Sequence, residues 1–267
     1  MKKLQQRYRY SLILLKQLVK TDFKLRYQGS ALGYLWSLLR PLALFVILYI
    51  VFARFLKFGG TIPHYPVYLL LGIVLWNYFA EVTNYSVSAI VSKGDLIRKL
   101  NFPKYVIVLA GSFSALINLI INFGVIGVFM VITDVPFRAS LLIVPVFVLQ
   151  LFVFSLAMAF LLSALFVRLR DINYIWEVIM QGAFYATPIL YPLSLIPLSA
   201  AKILMLNPVA QIIQDVRYLM VTDQTETVSS IYNGHAIRLV PFGITLLAIV
   251  LAAYYFRKRQ PYFAEEV

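Results

Sequence analysis

Apolar residues in this chain gather into six runs, each close to the roughly 20 helical residues needed to cross a hydrocarbon layer. They extend approximately from Trp36 to Leu56, Val67 to Val91, Tyr105 to Ile132, Leu141 to Val167, Tyr174 to Tyr191 and Leu239 to Phe256. Runs of this length predict six transmembrane helices in an all-α integral membrane fold, forming a single domain over residues 1–267. An even number of crossings puts both termini on one side.

Three other stretches carry patterned but shorter apolar sequence. In residues 7–28, Lys16, Lys20 and Lys24 recur on one helical face, while Leu12, Leu15, Val19 and Phe23 recur on another. This predicts an amphipathic helix lying in the membrane interface, against the alternative of a solvated basic arm. Residues 193–221 hold two apolar pieces, each too short to span. Asn207 is a plausible cap and Pro208 a first-turn residue of the second piece, whose Val209, Ile212, Ile213, Val216 and Met220 form one stripe. Two short re-entrant or surface-lying helices are expected there, acting as a lid over a pathway or simply resting on headgroups.

The third stretch, Ser92 to Tyr105, interrupts two long apolar runs with charge. Asp95 begins a short predicted helix, Arg98 and Lys99 end it, and Asn101 with Pro103 stops it, in agreement with the helix dipole. About two turns of helix do not stand alone in water. Because Leu96, Ile97 and Leu100 gather toward one side, the piece is expected to sit in a groove of something else. It reads either as a contact helix for a cytoplasmic motor protein or as an ordinary basic loop.

Composition sharpens the class. Hydrophobic residues make up 61% of the chain and charged residues 13%, with a mean hydropathy of +0.83. A net charge of +13 would suit nucleic acid, but the basic residues punctuate apolar runs instead of forming one patch. Of the 24 Lys and Arg, only Arg54, Lys57, Arg138, Lys202, Arg217 and Arg238 fall outside if both termini are cytoplasmic. That asymmetry fixes the expected orientation in a cytoplasmic membrane. With no cysteine, no disulfide or thiolate site is available. The N-terminus lacks the pattern of a cleaved leader and is expected to be retained.

No catalytic constellation stands out. His64 and His235 have no metal-ligand spacing, and no G-x-x-x-x-G-K phosphate loop is present, so nucleotide hydrolysis is not expected of this chain. The Asn84-Tyr85-Ser86 sequon lies inside a span, where it cannot be used. What remains are polar stripes within spans: Asn77, Glu81, Asn84 and Ser88; Ser114, Asn118 and Asn122; Glu177, Gln181 and Tyr185. Each should face protein or water, because unpaired amides and a carboxylate are costly in lipid. Glu81 is either a pathway residue or a carboxyl hydrogen-bonded between helices. Tyr78, Tyr85 and Tyr185 lie within spans near these stripes. A lumen of aromatic rings and amides would suit sugar rings, although any single ring is also explained by packing.

Several segments together carry a family resemblance: TDFKLRYQGSALGYLWSLLRPL at Thr21 to Leu42, GIVLWNYFAE at Gly72 to Glu81, LIRKLNFPKYVI at Leu96 to Ile107, VRLRDI at Val167 to Ile172, ATPILYP at Ala186 to Pro192, LNPVAQII at Leu206 to Ile213, and YFAE at Tyr262 to Glu265. In order and spacing the chain resembles the membrane subunit of ABC transporters that export cell-surface polysaccharides, such as O-antigen and wall teichoic acid chains. The resemblance implies a homodimer on two copies of a separate ATPase, which would hold the ATP and magnesium; no cofactor would be bound by this chain. It implies a lipid-linked polymer as cargo, in a channel on the dimer axis lined by Asn77, Tyr78, Glu81, Tyr85, Asn118, Asn122, Gln181 and Tyr185. Gly94, Asp95, Leu96, Ile97, Arg98, Lys99, Leu100 and Asn101 would form the coupling helix docking into the ATPase. Pro192, Asn207, Pro208, Ile212, Asp215 and Arg217 would belong to the outer gate. Drug or lipid cargo, an ion-coupled secondary transporter using Glu81, and a membrane-embedded enzyme are the rival readings.

Overall fold

The structure, a computed structural model, describes residues 2–26, 29–30, 32–60, 62–99, 102–234 and 236–266. All regular elements among them are helical. They are α1 (Lys2–Arg26), α2 (Trp36–Tyr49, continued by a wider turn Ile50–Phe55), α3 (Tyr65–Ser92), α4 (Gly94–Lys99), α5 (Tyr105–Ile132), α6 (Val144–Arg168), α7 (Ile172–Ala186), α8 (Leu198–Leu204), α9 (Pro208–Met220), α10 (Val228–Tyr232), α11 (Leu239–Arg259) and α12 (Phe263–Glu266). Among the described residues, five stretches are long and apolar enough to cross a membrane: Gly33–Phe55, Tyr65–Ser92, Tyr105–Ile132, Ala139–Arg168 and Ala236–Glu266.

The fifth predicted run turns out shorter. Only 15 residues, Ile172–Ala186, are helical, about 22 Å at 1.5 Å per residue. Pro188 explains the stop: its ring disfavours helical backbone at the preceding residue, and Thr187 is extended at φ −77° and ψ 136°.

Helix α3 is the axis of the bundle. Its most apolar window is 78% buried, against 11% in the Gly33–Phe55 stretch and 17% in the Ala236–Glu266 stretch. The two outer stretches expose side chains such as Ile47, Phe55, Leu246 and Val250. Such faces are unfavourable in water and tolerated in lipid, where packing of small and polar groups holds helices together. Accordingly α6 buries Ser155, Ala157, Ala159, Ser163 and Ala164, and it packs between α3 and α11.

Hydrogen bonds and ion pairs define the two ends of the bundle. At the Lys93 end, the Lys93 ammonium meets the Asp22 carboxylate at 2.7 Å, and Arg170 donates to the carbonyl of Glu266 at 3.5 Å. Phe263 is buried edge-on against Phe256, and α12 packs on α4. At the His64 end, the His64 Nδ1 lies 3.0 Å from the Thr133 carbonyl, Ser140 donates to the Leu219 carbonyl and Tyr65 to the Leu190 carbonyl. Helices α1 and α12 therefore brace the same end. Helix α7 leaves the Lys93 end and delivers Ile189 and Leu190 to the other.

Helix α1 packs along α5. Leu18 is buried and Leu14, Leu15 and Val19 partly so, while Lys16, Lys20 and Lys24 face outward. Of the predicted apolar face, Leu15 and Val19 are partly buried, Leu12 is exposed, and the Phe23 side chain lies outside the described residues.

Candidate functional site

Two of the three polar stripes converge. A cavity of about 700 Å³ opens between α2, α3 and α5. Asn77, Tyr78, Glu81, Asn84 and Tyr85 of α3 and Asn118 and Asn122 of α5 line it, with Ser30, Trp36, Ser37 and Arg40 closing the α2 side. Spacings of three and four put each set on one helical face, and the packing turns the two faces toward each other.

The bonds inside this cavity follow from local backbone chemistry. Asn118 donates from Nδ2 to Glu81 Oε1 at 2.9 Å, joining α5 to α3. Asn122 donates to the Asn118 carbonyl at 2.8 Å and lies 3.4 Å from the Ser37 carbonyl. The last contact has a specific cause. Pro41 sits inside α2 and carries no N–H, so the carbonyl four residues earlier, that of Ser37, loses its helical donor. An amide from the facing helix takes its place. Tyr78 is 3% exposed, and its hydroxyl has no partner among the described residues; nor has Asn118 Oδ1. Both atoms are buried, so their lack of a partner is a cost carried beside the cavity, whose accessible polar groups include those of Asn77, Glu81 and Asn84.

Toward the Lys93 end, Tyr85 donates to Asp22 Oδ2 at 2.8 Å, so Asp22 serves both this tyrosine and Lys93. Gly111 makes that possible, because a Cβ there would run into the Tyr85 ring. The remaining predicted lining residues, Gln181 and Tyr185, are elsewhere: both are exposed on α7, as are Asn173 and Glu177. Their stripe exists, but none of the described residues covers it.

The predicted contact helix is present as α4. Asp95 and Arg98 form an exposed pair at 3.0 Å, and Lys99 is exposed beside them. Ile97 is only 3% exposed and Gly94 is buried, with Leu96 half-buried. The expected groove is thus partly supplied by the chain itself, since α12 lies against α4. Leu100 and Asn101 lie outside the described residues.

At the His64 end, Asn207 caps α9 by accepting from the Val209 N–H at 3.0 Å, with Pro208 in the first turn. Ile212 is fully buried and Pro192 half-buried. Arg217 has no exposed surface at all. It donates from Nε to the Tyr68 carbonyl at 2.9 Å, and from Nη1 and Nη2 to the Pro188 and Ile189 carbonyls at 2.6 Å each. Its guanidinium also stacks 3.6 Å from the Tyr68 ring centroid. Gly72 leaves room for it, as a Cβ there would strike the guanidinium. Asp215 looks elsewhere, accepting from Gln211 at 2.5 Å, with Arg238 4.0 Å away. Burial pushes its carboxyl up from the usual range, and Gln211 and Arg238 partly oppose that.

Sequence reasoning missed Trp36, Ser37 and Arg40 as cavity walls. Pro41 was the available signal, because a proline inside a span leaves a carbonyl seeking a donor. Among the described residues, no group of three His, Asp or Glu side chains could hold a metal ion.

Comparison with known proteins agrees with this architecture. Residues 13–221 match the ABC-2 type transporter family. An O-antigen export system permease protein RfbA of Myxococcus xanthus is 32% identical over 204 residues, 74% of this chain and 76% of that protein. A protein of the same name from Klebsiella pneumoniae is 30% identical over 226 residues, 84% of this chain and 86% of its own. A second Klebsiella pneumoniae protein of that name is 28% identical over 239 residues, 88% and 92%.

Proposed function

The chain belongs to the ABC-2 type transporter family, and from that premise we propose that it is the membrane subunit of an ATP-driven exporter of lipid-linked polysaccharide. The cargo class is taken from the relatives named as O-antigen export permeases. ATP and magnesium would be held by a separate ATPase, in two copies, beneath a homodimer of this chain. The single observation that carries the reading is the polar cavity, where amides, tyrosines and one carboxylate at membrane depth offer hydrogen bonds to a hydroxylated chain.

Two further features support the assembly. The exposed stripe of Asn173, Glu177 and Gln181 on α7 is costly against lipid, so a second copy across a shared lumen is its natural cover. Gln181 and Tyr185 would then line the path from the dimer axis. Asp22 and Glu266 both find partners at the Lys93 end, which supports an even number of passes. Helix α7 with residues 187–191 supplies the sixth, and the basic Lys93 end faces the cytoplasm of a bacterial inner membrane.

Helix α4 is the coupling element in this scheme. Its charged face, Asp95, Arg98 and Lys99, meets the ATPase, while Ile97 and α12 transmit the push to the bundle. Tilting of packed spans then opens and closes the path, with residues 193–221 as the outer gate.

The test fills the cavity. Asn77→Trp should lower surface polysaccharide at least tenfold in cells that depend on this chain, while the permease still co-purifies with its ATPase. Undiminished surface polymer, or export that persists without the ATPase, overturns the proposal.

A further inference from the structure

Helix α4 begins at a bend whose side chain is tied to another helix. Lys93 ends α3 with non-helical backbone, φ −106° and ψ 21°, and its carbonyl accepts the Ile97 N–H at 3.0 Å, so one residue closes α3 and opens α4. A helix of six residues does not hold itself in place, and the pose of α4 follows its anchors: Ile97 and α12 on one side, Lys93 at its root. The Lys93 ammonium is held at 2.7 Å by Asp22 Oδ1, and the other oxygen of that carboxylate accepts the Tyr85 hydroxyl at 2.8 Å. Tyr85 lines the large cavity, and Lys93 lies about two turns further along α3.

One carboxylate on α1 thus bridges two points of α3, the first at the cavity wall and the second at the root of α4. Its side chain is 8% exposed, so water competes little for either bond. The Tyr85 ring lies against α5 in the space that Gly111 leaves, and a ring so confined cannot shift without moving its hydroxyl relative to Asp22. Both donors act on one charge. A carboxylate that loses the tyrosine hydroxyl draws closer to the ammonium or turns to find another donor, and either response moves Lys93.

We propose that Asp22 is a positioning residue for transport, which ties the cavity wall at Tyr85 to the root of α4 at Lys93, so that occupation of the cavity alters the pose α4 offers the ATPase. The proposal rests on the export reading and adds to it the route by which a filled cavity is sensed. Coupling of this kind is reciprocal, so a push on α4 acts back on Tyr85 through the same carboxylate.

The experiment uses the full permease with its ATPase in lipid nanodiscs and reads amide hydrogen exchange over residues 94–99, with α9 at the far end as the unchanged reference. Asp22→Asn and Lys93→Met should each speed exchange at 94–99 at least about threefold. Tyr85→Phe, which removes only the hydroxyl, should speed it at least about twofold in the otherwise unchanged chain and not at all when Asp22 is already replaced by Asn. A residue that merely steadied α1 would let Tyr85→Phe act alike in both backgrounds. In cells, Asp22→Asn should lower surface polymer at least about fivefold, while ATP hydrolysis by the purified complex stays within about twofold of the parent. If Asp22→Asn does not insert, Lys93→Met takes its place in both arms. Indifference of residues 94–99 to Tyr85→Phe, an equal response to it in both backgrounds, or full surface polymer in Asp22→Asn where deletion of the chain abolishes it overturns the proposal. The two readings separate. Export that needs this chain and its ATPase, with residues 94–99 indifferent to Tyr85→Phe, removes the link and leaves export. Surface polymer that does not need this chain, with the exchange pattern as expected, removes export and leaves Asp22 as the tie between cavity wall and α4.

Discussion

The cavity between α2, α3 and α5 and the cluster around Arg217 both bury polar groups deep in a helix bundle, and they do so by opposite means. In the cavity, side chain meets side chain across open space, and groups such as the Tyr78 hydroxyl and Asn118 Oδ1 are left over. Around Arg217, one guanidinium saturates three backbone carbonyls from two separate segments, with no space remaining. The first arrangement suits a passage and the second a staple. A group meant to meet successive parts of a cargo must not be fully satisfied in advance, whereas a group that fixes a turn to a helix must be.

The comparison breaks most visibly at Arg217. Arg217→Leu should strip the donors from the Tyr68, Pro188 and Ile189 carbonyls, costing roughly 3 kcal/mol. The unfolding midpoint in detergent should fall by about 10 °C. A variant as stable as the parent would show that these carbonyls find other donors and that the staple is dispensable.

Asn122→Ala should have a smaller effect on stability and a larger one on transport. It removes the donor to the Asn118 carbonyl and leaves the Ser37 carbonyl, already deprived by Pro41, without its substitute. The expected loss is about 1 kcal/mol, a shift of a few degrees, with a severalfold drop in surface polymer. Equal and small losses in both readouts would place Asn122 with the packing instead of the path.

The smallest effect is expected at the Lys93 end. Lys93→Met deletes a pair whose lysine is 24% exposed, although Asp22, at 8%, keeps the Tyr85 hydroxyl. A partly exposed pair contributes about 1 kcal/mol or less and is weakened by salt. The parent's midpoint should therefore drop more than the variant's on going from low to high salt. An identical salt response would mean that the bridge contributes nothing in solution.

How far each region could be read from the sequence follows the same division. Asn77 and Glu81 on α3, and Asn118 and Asn122 on α5, announce themselves by a spacing that a single helix already enforces. Gln181 and Tyr185 share that regularity, yet they line nothing within one chain, because periodicity names a face and not what covers it. Arg217 shows the opposite failure. In sequence it is one basic residue in an amphipathic stretch, and neither its burial nor its carbonyl partners, which lie 28 to 149 positions away, leave any local trace.

The amino-acid order by itself determined that long apolar runs become helices and which polar residues share a helical face. These are consequences of backbone hydrogen bonding and of a fixed 100° turn per residue, and both act over a few positions. Only the tertiary structure decided that α3 is the central helix, that Pro41 and Asn122 answer one another, and that Arg217 ends among the Tyr68, Pro188 and Ile189 carbonyls. Each of those depends on which helices come into contact, and in a medium as apolar as the side chains that choice rests on close packing and a handful of polar contacts between distant segments.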